Sequence, residues 1–166
     1  TEHTYLQDTL DIKQVHSLIL GMVEKLAYQA RSEQWLVSTL VIKIRYANFD
    51  TENLQRKIAY TSCDHILGRL ALELFNKLYN RRMRIRLVGV TFTGLVRGTY
   101  QINMFEDTEE MIALYQAMDR IKDRFGYDAV TRCGGRNLKS KAGNIITNPK
   151  AQNLNPKPLD PPTSNP

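Results

Sequence analysis

Residues 82–92 read RMRIRLVGVTF, and the fold turns on how that run is parsed. Met83, Ile85 and Leu87 alternate with Arg82, Arg84 and Arg86. That is the period of a strand with one apolar and one cationic face. The apolar parity reverses at Val88–Gly89, because Val90 and Phe92 stand on the other register. A bulge at Gly89 would return them to a single inward face. Such a strand needs a layer against which to bury its apolar side, and the sequence before it supplies one.

Immediately upstream, Ile66, Leu67, Leu70, Ala71, Leu74, Phe75 and Leu78 recur at helical spacing, with Ser62 or Asp64 as the expected cap. Residues 36–46 (LVSTLVIKIRY) read as a strand in which Leu36, Leu40, Ile42, Ile44 and Tyr46 share one face. Lys43 and Arg45 take the other. Ala47–Asn53 is turn-like, and Leu54–Thr61 returns as a less regular strand, so the two form a hairpin. Asp11 with Gln14 resembles a capping box for an earlier helix, whose stripe runs from Ile12 through Val15, Ile19, Met22 and Val23 to Ala30. Thr4–Thr9 precedes it as a first strand. The order β-α-β-β-α-β predicts an α+β fold, a split β-α-β-β-α-β four-stranded sheet with two helices on one face. The uncovered face then collects Lys43, Arg45, Arg82, Arg84 and Arg86.

Downstream, Gly94–Gly98 forms a turn and residues 99–105 read TYQINMF. A C-terminal helix is predicted next, with Asp107 and Glu110 as capping box, Met111, Leu114, Met118, Ile121 and Phe125 as buried stripe, and Gly126 as stop. Hydrophobic periodicity ends near Cys133. The chain is thus divided into a domain at 1–97, a segment with a C-terminal helix at 98–130, and a basic, Pro/Asn-rich tail at 131–166 expected to be flexible.

The 166 residues include 23 Lys plus Arg and 17 Asp plus Glu, a formal net charge of +6. Length and composition fit one domain with a real core. The charge is unevenly spread: residues 1–80 are neutral, 81–97 hold five arginines and no acid, 98–130 carry −4, and 131–166 carry +5. A polyanion would meet the arginine run and the tail. Two cysteines, Cys63 and Cys133, exclude a disulfide framework and point to a reducing compartment. No apolar run approaches the roughly 20 residues of a membrane span. A cytoplasmic protein without a membrane partner is expected.

Catalytic constellations are missing from the sequence. There is no G-x-x-x-x-G-K-[ST] loop, G-x-G-x-x-G turn or G-x-S-x-G elbow. Cys63 and His65 lack the further ligands of a zinc site, and Cys63 has nothing nearby in sequence to activate it. Asp107, Glu109 and Glu110 could hold Mg²⁺, but carboxylates at a helix start read more simply as caps and dipole partners. No catalytic residue, metal site or cofactor is expected in this chain.

The run RRMRIRLVGVTFTGL (81–95) closely resembles the last strand of the little-finger domain of Y-family translesion DNA polymerases, of the bacterial polymerase IV and mutagenesis-protein type. YLQDTLD, VIKIRYANFDT and KIAYTSCDHIL also resemble that domain in order and spacing, so that the likeness spans about residues 1–130. It implies that residues 1–97 are a little finger that binds primer–template DNA beside a lesion. Lys43, Arg45, Arg82, Arg84 and Arg86 would grip backbone phosphates, with Arg56 and Lys57 as lesser candidates. It also implies a catalytic core as partner, with the polymerase carboxylates and their Mg²⁺ outside this chain. On that reading the chain is a non-catalytic, nucleoid-associated fragment or a separately encoded piece. Gln101-Ile-Asn-Met-Phe105 resembles the Q-x-x-[LM]-F peptide with which bacterial polymerases dock on the sliding clamp. Gln101 would hydrogen-bond in one small site while Met104 and Phe105 anchor in an apolar pocket.

Two other readings use the same residues. In a clamp adaptor, residues 101–105 would matter most and DNA contact would be incidental. A ferredoxin-like RNA- or ligand-binding regulatory module would need aromatic residues facing outward from the central strands, where this sequence places Lys and Arg.

Overall fold

The computed structural model describes residues 1–98 and 109–131. Strand β1 (Glu2–Thr9) leads into helix α1 (Ile12–Ser32), the hairpin β2 (Trp35–Tyr46) and β3 (Thr51–Thr61), helix α2 (Asp64–Leu78) and strand β4 (Ile85–Thr93). A two-residue strand β5 (Val96–Arg97), helix α3 (Glu109–Phe125) and a 3-10 turn at Tyr127–Ala129 follow. The predicted order β-α-β-β-α-β is the observed one. The sheet runs β1-β4-β2-β3 with every pair antiparallel, and β5 pairs with the start of β2.

Alternation along β2 divides inside from outside. Leu40, Ile42, Ile44 and Tyr46 are fully buried against Val15, Ile19, Val23 and Ala27 of α1 and Leu67, Ala71 and Phe75 of α2. α1 starts where predicted, with the Asp11 carboxylate accepting from the Gln14 amide at 3.1 Å. The start of α2 differs from expectation: Cys63 takes the cap position and makes no side-chain cap bond. Asp64, one of the two expected caps, is instead buried and bonded to Arg31.

β4 also departs from its predicted form. It begins at Ile85, so Arg82 and Arg84 precede the strand. The register slips where Tyr46 faces Ile85 and Arg45 faces Leu87, leaving Arg86 as the extra residue. The bulge is therefore at Arg86 and not at Gly89. The reason is that Val88, opposite Ile44, already belongs to the core face. The parity must then change before Val88, which puts Leu87 with Arg45 on the other face.

α3 is the predicted helix turned to a different face. Leu114 is 47% exposed and Phe125 68%, while Tyr115 and Lys122 are buried. Buried charge sets this rotation. Arg31, whose side chain is only 4% exposed, projects from the last turn of α1 and bonds Asp64. It also forms a two-pronged contact with Asp119 of α3 at 2.6 and 2.9 Å, donates to the Ser62 carbonyl at 2.9 Å and lies over the Tyr115 ring. Lys122 reaches Glu24 of α1 at 2.7 Å, and Tyr28 donates to Asp123 at 2.6 Å. Charges removed from water need partners more urgently than methylenes need burial. α3 therefore docks through these charges together with Tyr115, which is fully buried in the core. Burial works against the charged guanidinium, but hydrogen bonds and attraction from Asp119 and Asp64 outweigh it and raise the Arg31 pKa above its ordinary value.

Arg31→Met is expected to cost about 3–5 kcal/mol, because it leaves Asp64 and Asp119 without their cation. A urea unfolding midpoint close to that of wild type would contradict this assignment.

Candidate nucleic-acid interface

The face of the sheet away from α1 and α2 is built from the odd residues of β2 and their cross-strand partners. Arg45 faces Leu87 and Thr51, Lys43 faces Gly89 and Asn53, and Val41 faces Thr91 and Gln55. β1 extends the same face through Glu2 opposite Gly89 and Thr4 opposite Leu87. Lys43 and Arg45 thus stand where the sequence placed them. Lys43 reaches across Gly89 to the Glu2 carboxylate at 2.9 Å, and Arg45 donates to the Thr51 hydroxyl at 2.9 Å. A Cβ on Gly89 would come within 2.9 Å of Glu2 Cγ, so this glycine keeps open the gap over which the pair forms.

The arginine run lies at one end of this face. Because β4 starts at Ile85, Arg82 and Arg84 flank the sheet rather than line it. Both are at least partly open to solvent, and among the described residues neither has an acidic partner. Arg86, at the bulge, lies 4.5 Å from the centroid of the Phe49 ring and 4.0 Å from Asp8. Arg81 pairs with Asp50 at 3.1 Å and Glu52 at 2.9 Å and sits over the Tyr46 ring. Burial raises the Tyr46 phenol above its ordinary range, Glu52 adds to the rise and Arg81 opposes it.

These contacts fasten the β2–β3 turn to the arginine run. The Ala47 amide donates to the Arg84 carbonyl at 3.0 Å, and the Tyr46 amide to the Asp50 carbonyl at 2.9 Å. Asn48 bonds both the amide and the carboxylate of Asp50. The result is a fixed corner that groups Arg45, Arg81, Arg84, Arg86 and Phe49. Of these, Phe49 escaped the sequence reading of the site, and Arg81 entered it only as one of the five arginines of residues 81–97. The available signal was an aromatic residue inside an otherwise polar turn.

Arg56 and Lys57 part company. Arg56 faces Leu40 on the helix side of the sheet and bonds Glu73 of α2 at 3.0 Å, whereas Lys57, opposite Thr39, joins the open face. Gln101, Met104 and Phe105 lie outside the described residues, as do Asp107 and the tail beyond Thr131. Among the described residues no group of three His, Cys, Asp or Glu is placed to hold a metal ion. No described helix is long and apolar enough to cross a membrane.

Replacing Arg81 with Ala removes two exposed ion pairs and one side of the corner. Global stability is expected to fall by no more than about 1 kcal/mol, since such pairs are weak. Hydrogen exchange at the Phe49 amide should nevertheless quicken, because Asp50 loses its anchor. Unchanged exchange at that amide would show the turn to be held without Arg81.

The chain is similar to known proteins. The C-terminal domain of the impB/mucB/samB family matches residues 1–104, which take in the whole sheet with α1 and α2. DNA polymerase IV of Clostridium kluyveri is 26% identical over 149 residues, covering 83% of this chain and 37% of the relative. DNA polymerase IV of Acetivibrio thermocellus is 29% identical over 132 residues, covering 76% and 33%. The chain thus spans about a third of the length of these relatives. Among solved structures, the PolIV little finger domain in complex with the beta-clamp processivity factor aligns with a TM-score of 0.47 at 15% identity, covering 61% of this chain and 92% of that one. With its sheet and both underlying helices inside the matched span, the chain belongs to the impB/mucB/samB family of Y-family DNA polymerases and carries that family's C-terminal domain.

Proposed function

We propose that this chain is the DNA-binding little-finger part of a translesion polymerase, holding primer–template duplex without reading its sequence. One observation carries the reading. A sheet buried on one side by two helices presents Lys43, Arg45 and Lys57 on its other side, and Arg82, Arg84 and Arg86 gather at one end of it. Arginine and lysine at this density suit phosphate contacts, which supply affinity and register but little base specificity. That combination fits a polymerase that must tolerate altered bases. Residues 41, 43, 45, 87, 89 and 91 on the central strands include no aromatic side chain, which disfavours an RNA-recognition surface that stacks bases on its sheet.

Mechanistically, the residues act as a set of positioned cations. Arg82 and Arg84 have no acidic partners among the described residues, so they meet phosphate at the smallest desolvation cost. Lys43 must exchange Glu2 for phosphate, and Arg86 must exchange Asp8. Catalysis belongs to a core outside this chain. The chain spans about a third of its relatives' length, which leaves room for one. Gln101, Met104 and Phe105 are proposed as a clamp-docking peptide on their pattern alone.

Arg84→Ala should weaken binding to every duplex tested and lower the slope of log K against log salt by about 0.9, the share of one phosphate. A salt-independent isotherm for the wild-type chain would overturn the proposal. For the clamp peptide, Gln101→Ala with Phe105→Ala should abolish capture of the bacterial sliding clamp in a pull-down while leaving duplex affinity intact. Retained capture would remove that part of the reading.

A further inference from the structure

Phe49 stands at the tip of the β2–β3 turn with 63% of its surface exposed and a φ of +69°. Neither condition favours phenylalanine. The left-handed region is strained for a bulky side chain, and Gly or Asn meets it at lower cost. Exposure forgoes the burial that an aromatic ring normally gains. The conformation is fixed from several sides. The Phe49 amide donates to the Tyr46 carbonyl at 2.9 Å, Thr51 donates to the Phe49 carbonyl at 3.4 Å, and Asn48 braces Asp50. A strained conformation held this firmly at an exposed position is a reason to look for a ligand.

The surroundings say which ligand. Arg86 covers one face of the ring, its guanidinium carbon 4.5 Å from the centroid. The bulge at Arg86 is what sets that side chain apart from the regular strand, and Arg45, Arg81 and Arg84 stand around the same turn. An exposed ring backed by the Arg86 cation, on a turn that also adjoins Arg45 and Arg84, fits a flat aromatic group attached to phosphate. Bases in a duplex are already stacked on one another and offer their edges. Unpaired bases offer a face, and aromatic stacking combined with arginine is how single strands are held.

We propose that Phe49, backed by Arg86, stacks against an unpaired base of the single-stranded DNA that adjoins the duplex bound by the sheet. This assignment rests on the DNA-binding reading above and adds a single-strand subsite to it. Phosphates on either side of the stacked nucleotide would meet Arg84 and Arg86.

The test uses the full 166-residue chain and two DNAs, a blunt duplex and the same duplex with a single-stranded 5′ overhang. Affinities are read by fluorescence anisotropy. Phe49→Ala is expected to weaken overhang binding by roughly 5- to 100-fold, the range for loss of one stacked base, and to leave blunt-duplex binding within about twofold. The salt slope should not change, since no charge is removed. Phe49→Asn, which suits the left-handed turn, should fold as well as wild type and lose the same overhang affinity. Phe49→Trp should retain it, and its added indole fluorescence should be quenched by overhang DNA but not by blunt duplex, with wild type giving the Trp35 background. Equal affinity of wild type and Phe49→Ala for the overhang, equal losses on both DNAs, or an unquenched signal from Phe49→Trp would each overturn the stacking site while duplex binding stood. Wild-type protein that bound neither DNA would overturn the underlying reading as well. If Phe49→Ala altered neither affinity but abolished capture of another protein, the exposed ring would be a protein contact and the proposal would be wrong.

Discussion

β2 is hydrogen-bonded on both sides, to β3 and β4, and covered by helices on only one face. Its residues from Ser38 to Tyr46 therefore alternate. Leu40, Ile42, Ile44 and Tyr46 seal the core, and the intervening Lys43 and Arg45 have no route except outward. A slip of one residue would bring two cations into the core, which is a far larger penalty than any single contact on the open face could offset. The cationic face is in this sense a by-product of the same register that makes the domain fold. Fold and candidate interface cannot be varied independently along this strand.

A second constraint operates on the other side of the helices. Arg31 and Glu24 are charges on α1 that α3 covers, and α3 answers them with Asp119 and Lys122. Replacing such a network by apolar residues of similar size need not destabilise a protein, whereas removing one member does. What the charges supply is a defined pairing: a helix sliding by one turn along α1 would put Asp119 and Lys122 out of reach of their partners. The Tyr115 hydroxyl, 2.6 Å from His65 Nδ1, adds a further fixed point at the start of α2.

The element order and the inward faces of α1, α2 and β2 were legible because each has a single uninterrupted period. Lys43 and Arg45 were legible for the same reason. β4 was not, since its apolar residues carry two parities and the sequence holds no mark of which residue is extra. Gly89 looked like the exception because glycine often marks bulges, yet its small size serves the Lys43–Glu2 approach instead. α3 misled more plainly. Its hydrophobic stripe is a good helical pattern, but docking followed the buried partners on α1, and those are far away along the chain, with Arg31 and Asp119 88 positions apart. Phe49, and the part Arg81 plays within the arginine run, were hidden because the contacts that define them cross between the turn and the strand entry.

The docking of α3 bears on what happens when that helix lifts away. An ordinary core-packed helix leaves behind an apolar scar, and the exposed patch promotes association. Here the uncovered surface would hold Arg31, Asp64 and Glu24, all of which water solvates well. Hydration of these ions offsets part of the broken pairing, and the uncovered patch is mixed, charged around the core surface that Tyr115 covers. Separation of α3 would therefore uncover hydrated charge around the small apolar site left by Tyr115, rather than a continuous apolar patch.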